Sequence, residues 1–197
     1  DVERKLGLPH LGSIPLVSSV AERADRSKAP IDYLIHRPLS AFAEALRAMR
    51  TSIQFSRIDQ RVKSIVITSS LPGEGKTTTA VALACSSAQA GQRAIIVDCD
   101  LRRRAVNRVL HIDPQVGLLE VLNGQATLDE AVLTDASSGA FVLPLAHSSF
   151  TPKDVFQSEA MRRLIAHLKD HFDLVIFDTA PVLAVAETRV LAAQADA

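Results

Sequence analysis

The segment Ser70-Leu71-Pro72-Gly73-Glu74-Gly75-Lys76-Thr77-Thr78 gathers the residue types that hold phosphates. Gly73 and Gly75 have no Cβ, so successive backbone N–H groups can turn inward toward an anion. Lys76 offers a cation for β- and γ-phosphates, and the Thr77 hydroxyl is a hard oxygen of the kind that ligates magnesium beside them. A helix starting at Thr77 would aim the positive end of its dipole at the same charge. Pro72, Glu74 and Thr78 complete the candidate binding loop. The pattern departs from the strict phosphate-loop consensus at its first glycine, where Ser70 stands. In isolation it could be a glycine turn beside a solvated lysine, so its context decides.

That context includes carboxylates. Asp98-Cys99-Asp100 follows the apolar run Ala94 to Val97, and Asp178 follows Val175-Ile176-Phe177. Each group sits where a strand would end, the edge at which open parallel sheets bind ligands. A single aspartate there is ordinarily a cap or turn residue. Three of them with a phosphate-loop lysine point to ATP and Mg2+, because magnesium takes one or two carboxylates along with phosphates and water. A further carboxylate could orient or deprotonate an attacking group. Lys76, Asp98, Asp100 and Asp178 are therefore the candidate catalytic residues for phosphoryl transfer. Arg102, Arg103, Arg104 and Arg108 form a basic patch that could meet phosphate, a neighbouring subunit or a substrate loop, or simply be a solvated helix face. Arg102 stands nearest to the carboxylates in sequence. The histidines at 10, 36, 111, 147, 167 and 171 share no metal-ligand spacing with cysteines, so the sequence assigns no zinc site.

The elements that must position these groups are legible from periodicity. Residues 1–37 show no sustained period and read as a linker or arm. Ser40 can cap a helix whose Phe42, Leu46, Met49 and Ile53 share one face. A strand from Val62 to Thr68, the loop, and a helix from Thr77 to Ala90 ended by Gly91 come next, then a buried strand from Ala94 to Val97. Helical pieces at Gly117 to Leu122 and Thr127 to Leu133, a strand at Phe141 to Leu143, a helix from Lys153 to Leu168 and a strand from Phe172 to Phe177 complete the reading. Strands alternating with helices imply an α/β fold, with right-handed crossovers and a mostly parallel sheet flanked by helices.

With 22 acidic and 22 basic residues, the chain has no overall field to draw it to nucleic acid or anionic lipid. No apolar run approaches the ~20 residues that cross a bilayer. Cys85 and Cys99 sit in apolar surroundings and read as buried, reduced thiols.

The phosphate loop, Asp98-Cys99-Asp100-Leu101-Arg102 and Asp178-Thr179-Ala180-Pro181 resemble the Walker A, A′ and B motifs of the bacterial tyrosine kinase (BY-kinase) family. Glu44-Ala45-Leu46-Arg47-Ala48-Met49-Arg50 is similar to that family's ExxRxxR oligomerisation helix, and Gly117-Leu118-Leu119-Glu120-Val121-Leu122-Asn123-Gly124 is a further match. Leu6-Gly7-Leu8-Pro9 and Leu11-Gly12-Ser13-Ile14-Pro15 resemble the stretch after the last transmembrane helix in fused members. The resemblance implies a P-loop NTPase fold with deviant Walker motifs, an arm over 1–37 and a kinase domain over 38–197 that stops short of its usual end. It implies an ATP-dependent tyrosine kinase, autophosphorylating in trans, that governs capsular or exopolysaccharide synthesis and export. Thr77, Asp100 and Asp178 would then serve the metal, Arg102 would join the nucleotide-binding residues, and Asp98 would be base or water-mediated metal ligand. Glu44, Arg47 and Arg50 would build a homo-oligomeric ring. Its partners would be a transmembrane polysaccharide co-polymerase region, fused or separate, and tyrosine-bearing proteins rather than nucleic acid. Its place would be the cytoplasmic inner face of the bacterial plasma membrane.

The chain departs from relatives in two ways. Cell-division and plasmid-partition ATPases of similar type carry a second lysine early in the loop, where Leu71 stands here. BY-kinases phosphorylate a C-terminal tyrosine cluster, whereas the one tyrosine in these 197 residues is Tyr33. A P-loop ATPase switch that controls assembly of an export complex is therefore the alternative. Ser148-Ser149-Phe150-Thr151-Pro152 stands where related kinases have an Asn-Pro turn.

Overall fold

The structure is a computed structural model that describes residues 2–56, 62–146 and 154–197. Internal contacts divide the chain into two compact units, residues 1–62 and 63–197.

The first unit contains α1 (Val2–Leu6), α2 (Val17–Val20), α3 (Pro30–His36) and α4 (Ala41–Gln54). Residues 1–37, read from sequence as an arm, thus carry helices too short for a period to show. In α3 Pro30 takes the first helical position, where its missing N–H costs no hydrogen bond, and Ile31, Tyr33 and Leu34 are buried. Asp25 is buried and pairs with Arg37 at 2.8 Å and Lys28 at 2.9 Å. These cations hold its carboxyl below the ordinary value. Helix α4 begins where Ser40 Oγ accepts the Ala43 N–H at 3.2 Å, the expected cap. Phe42, Leu46 and Ile53 are buried and Met49 is half-buried, so the apolar stripe is directed inward. Phe42 meets Tyr33 edge to face at 6.3 Å.

The second unit runs β1 (Ser64–Ile67), α5 (Lys76–Gln89), β2 (Ala94–Asp98), α6 (Ala105–Leu110), α7 (Leu118–Leu122), α8 (Leu128–Ala131), β3 (Leu133–Thr134) and β4 (Phe141–Leu143). A 3-10 turn at Val155–Gln157, α9 (Glu159–His171), β5 (Leu174–Asp178) and α10 (Glu187–Ala192) follow. Among the described residues the strands form one sheet in the order β1-β5-β2-β4-β3. The pairs β1–β5, β5–β2 and β2–β4 are parallel, and only β3 runs antiparallel, at the edge. Both β2 and β5 are buried along their whole length, as their unbroken apolar runs require. Helix α5 is buried from Ala80 to Ser87, its small side chains letting it lie close against β2 and β5. Another part of the core joins Val97, Leu143, Val175 and Phe177 to Leu118 and to Met161 and Leu168 of α9.

Several boundaries differ from the sequence expectation, and three of them have a clear local cause. The helix expected to reach Leu133 ends at Ala131, because Val132 turns extended and Leu133 pairs with Val142 as edge strand β3. The helix expected from Lys153 begins at Glu159, where Ser158 Oγ accepts the Met161 N–H at 3.1 Å, and a 3-10 turn precedes it. Strand β5 starts at Leu174 rather than Phe172, whose ring instead packs on Phe141 at 5.3 Å. The segment Ser148 to Pro152, with His147 and Lys153, lies outside the described residues. Among the described residues, no helix is long and apolar enough to cross a membrane.

Candidate phosphoryl-transfer site

The loop between β1 and α5 owes its path to three residues. Gly73 and Gly75 adopt φ values of 87° and 85°, a left-handed conformation that costs a Cβ-bearing residue strain. Glu74 folds back so that its Oε2 accepts the Ser70 N–H at 2.8 Å and the Leu71 N–H at 3.1 Å. Sequence reasoning placed Glu74 among the binding residues without this bracing role. Its signal is a carboxylate three and four residues after the two amides it ties.

Strand register brings the carboxylates to the same edge. Asp98 lies beside Asp178 across the β2–β5 pair, and Ile67 lies beside Asp178 across β1–β5, so the loop following Ile67 starts level with both acids. The Cys99 N–H donates to the Asp178 carbonyl at 2.8 Å, extending the ladder by one residue. Asp98, Asp100 and Asp178 are all buried.

The side chains converge. Lys76 Nζ donates to Asp100 Oδ2 at 3.1 Å and stands 4.0 Å from Asp178 Oδ1. The Thr77 hydroxyl donates to Asp178 Oδ2 at 2.7 Å. Asp98 is engaged differently, its Oδ1 accepting the Asp100 N–H at 3.1 Å and its Oδ2 the Val106 N–H at 3.3 Å. Asp98 thereby shapes the turn that carries Asp100 and Arg102. Arg102 itself is exposed, and Thr78 is half-buried in the first turn of α5.

One ammonium, Lys76, faces the two buried carboxylates of Asp100 and Asp178, so the cluster is short of positive charge. Burial pushes the Asp98 carboxyl up to about 8, and the neighbouring Asp178 adds to the effect against the two amide hydrogen bonds. Burial also raises Asp178 to about 6, Lys76 and the Thr77 hydroxyl holding it back. Asp178 Oδ1 is buried with no hydrogen-bond partner. An orphaned hard oxygen beside a threonine hydroxyl, in a cluster short of positive charge, suits a small divalent cation that completes its shell with phosphate and water. Among the described residues no His, Cys, Asp and Glu group forms a metal cage by itself.

Similarity to known proteins places the chain in a family. A family model described as an AAA domain matches residues 62–197. The tyrosine-protein kinase YwqD of Bacillus subtilis is 37% identical over 159 residues, covering 81% of this chain and 67% of that protein. The chain belongs to the bacterial tyrosine-protein kinase family. The solved kinase domain of the Escherichia coli tyrosine kinase ETK superposes with a TM-score of 0.86 at 28% identity, over 99% of this chain and 78% of that one. The septum site-determining protein MinD of Pyrococcus horikoshii, solved with Mg-ADP, gives a TM-score of 0.58 at 25% identity, over 68% of this chain and 55% of its own. The chain spans only about a quarter of the length of several other tyrosine-kinase relatives, 26% in two cases and 22% in another. This family member thus has the P-loop α/β fold expected from its sequence.

In this kinase-family chain the ExxRxxR-like residues lie on α4. Glu44 is exposed and Arg47 half-buried, and the two pair at 2.6 Å within the helix. Arg47 also donates to the Pro38 carbonyl at 2.7 Å. Arg50 is half-buried and not without a partner.

Proposed function

We infer that this chain is the catalytic portion of an ATP-dependent protein-tyrosine kinase, autophosphorylating in trans, that regulates capsular or exopolysaccharide synthesis and export. The observation that carries the reading is the cluster in which Lys76, Thr77, Asp100 and Asp178 meet within hydrogen-bond reach at the mouth of the phosphate loop. The loop amides and Lys76 bind the ATP phosphates, and Lys76 moves from its carboxylates to the β/γ-phosphate charge as they enter. Thr77, Asp178 and Asp100 would hold magnesium, which supplies charge stabilisation to the transferring phosphoryl group. The MinD relative solved with Mg-ADP supports that assignment. Asp98 keeps the Asp100 turn in place and serves as base or water-mediated ligand.

The kinase domain takes in residues 38–197 in this reading, with 1–37 as an arm toward a transmembrane co-polymerase region, fused or separate, at the cytoplasmic face of the plasma membrane. Glu44, Arg47 and Arg50 form the contact of a homo-oligomeric ring. The acceptor tyrosine comes from elsewhere than this sequence, since Tyr33 is buried at 5% exposure. That same burial favours the second reading, an ATPase switch controlling assembly.

The test uses full-length protein and labelled ATP. Lys76→Met should lose magnesium-ATP binding by calorimetry, and Asp98→Asn should lose phosphotyrosine while retaining most nucleotide affinity. Unchanged ATP affinity in Lys76→Met would overturn the site. Label released only as free phosphate would favour the switch.

A further inference from the structure

The basic patch seen in the sequence divides in the fold. Arg102 lines a cavity beside Cys99 and Ala180, whereas Arg103, Arg104 and Arg108 line a separate cleft of about 400 Å3. The rest of that cleft comes from Asn107, His111, Ile112 and Asp113, so one stretch of chain around α6 builds it. We propose that this cleft binds a sugar phosphate, the guanidiniums taking the phosphate and the other polar groups the hydroxyls. The proposal does not rest on the kinase reading.

The cleft is preformed. Arg104 and His111 stand immediately before and after α6, and both adopt left-handed φ values, 46° and 54°, which strain a residue that carries a Cβ. Such strain persists where surrounding bonds fix it. The Arg103 and Arg104 N–H groups donate to the Asp100 carbonyl at 3.0 and 3.3 Å, and the Ile112 N–H donates to the Asn107 carbonyl at 3.0 Å. Asn107 is buried, and its Nδ2 donates to the Leu145 carbonyl at 2.7 Å, which anchors α6 to the chain beyond β4. Arg108 Nη2 donates to the Arg103 carbonyl at 3.1 Å, which steadies that guanidinium.

Charge and lining together select the ligand. Three guanidiniums share the cleft with one carboxylate, Asp113, and among the described residues none of the three makes an ion pair. A guanidinium fork matches the oxygens of a phosphate two at a time. Ile112 is the one apolar lining residue, so the cleft offers little to the ring of a phosphotyrosine or to an acyl chain. Asp113 opposes a second phosphate by like charge, and with His111 it offers hydrogen bonds to hydroxyls. A monophosphate on a hydroxylated body meets all of these conditions. The volume falls in the range of roughly 300–1,000 Å3 typical of ligand pockets.

The experiment is calorimetry on the full-length protein, its nucleotide site first filled with magnesium and a non-hydrolysable ATP analogue. Glucose 1-phosphate should bind the parent at one further site, inorganic phosphate about threefold more weakly or worse, and glucose not at all. Arg104→Gln combined with Arg108→Gln should weaken glucose 1-phosphate about tenfold or more, the equivalent of one lost hydrogen bond to a charged group. Arg163→Gln, exposed on α9 outside the cleft, should leave it unchanged. Unaltered melting and unaltered affinity for the ATP analogue show that the variants fold. Should the double variant melt early, Arg103→Gln, at an exposed position, decides by a smaller loss in the same direction. No binding of glucose 1-phosphate by the parent, or equal affinity in parent and cleft variants, overturns the site and leaves a solvated basic face. Inorganic phosphate binding as tightly as glucose 1-phosphate overturns the sugar-phosphate assignment.

Discussion

Thr77 Oγ1 donates to Asp178 Oδ2 at 2.7 Å across 101 residues of chain, tying the first turn of α5 to the end of β5. This bond leaves Asp178 Oδ1 without a hydrogen-bond partner, with Lys76 Nζ no nearer than 4.0 Å. Thr77→Val keeps the shape and removes the hydroxyl. A hydrogen bond to a charged group contributes about 1.5–3 kcal/mol, so the magnesium concentration that half-saturates ATP binding should rise about ten- to hundredfold. An unchanged magnesium titration would remove Thr77 from the metal site.

Gly117 is a packing glycine. A Cβ there would lie 2.3 Å from the Pro144 carbonyl oxygen and 2.9 Å from the Ala146 nitrogen, both backbone atoms that cannot swing aside. The close approach lets the Leu118 N–H donate to that Pro144 oxygen at 2.8 Å, holding α7 against the end of β4. Gly117→Ala should therefore destabilise the fold by about 1–3 kcal/mol in urea unfolding, even though its backbone angles suit alanine. Equal midpoints for the two proteins would show that α7 yields without cost.

Asp196 makes stability depend on acid. Its Oδ2 accepts the Lys63 and Ser64 N–H groups at 3.0 and 2.9 Å, and Lys169 Nζ donates to Oδ1 at 2.6 Å. Partial burial pushes the carboxyl up, but these bonds outweigh it and hold it below the ordinary 3.8. A carboxylate held low in the folded state contributes fully above the unfolded value and loses that contribution as pH falls through the folded one. Asp196→Asn should thus be less stable by about 1–2 kcal/mol at neutral pH. The gap should close as pH drops below 3.8. A gap independent of pH, followed by thermal melting, would deny the carboxylate its role.

Glu44 and Arg47 pair within α4 at 2.6 Å, a surface ion pair that contributes about 0.3–0.5 kcal/mol. Replacing Glu44, Arg47 and Arg50 together by alanine should consequently leave a folded protein that still binds ATP. If these residues build the ring, light scattering will report a monomer and autophosphorylation will fall sharply. Equal mass and equal phosphorylation in parent and variant would end the assembly model.

Much of the chain was legible in the sequence because its signals are local. The unbroken apolar runs of β2 and β5, the Ser40 cap, and Gly91 closing α5 at φ 82° each follow from residues within a few positions. The phosphate loop was legible for the same reason, since Gly73, Gly75, Lys76 and Thr77 act through their own spacing. The expectation that Asp98, Asp100 and Asp178 share one edge needed only the rule for parallel sheets.

Tertiary structure decided the rest, wherever an outcome depends on a distant partner. Helix α3 is short, and burial of Ile31, Tyr33 and Leu34 rather than any visible period accompanies it. Leu133 left the helical pattern because Val142 offered an edge to pair with. The three aspartates look alike in sequence, yet Asp98 spends both oxygens on backbone amides, Asp100 takes Lys76, and Asp178 keeps one oxygen unpaired. The chain by itself thus determined which groups meet and what chemistry they suit. Which carboxylate is braced, which is paired and which is left open depended on strand register and burial, because those set the hydrogen-bond partners within reach.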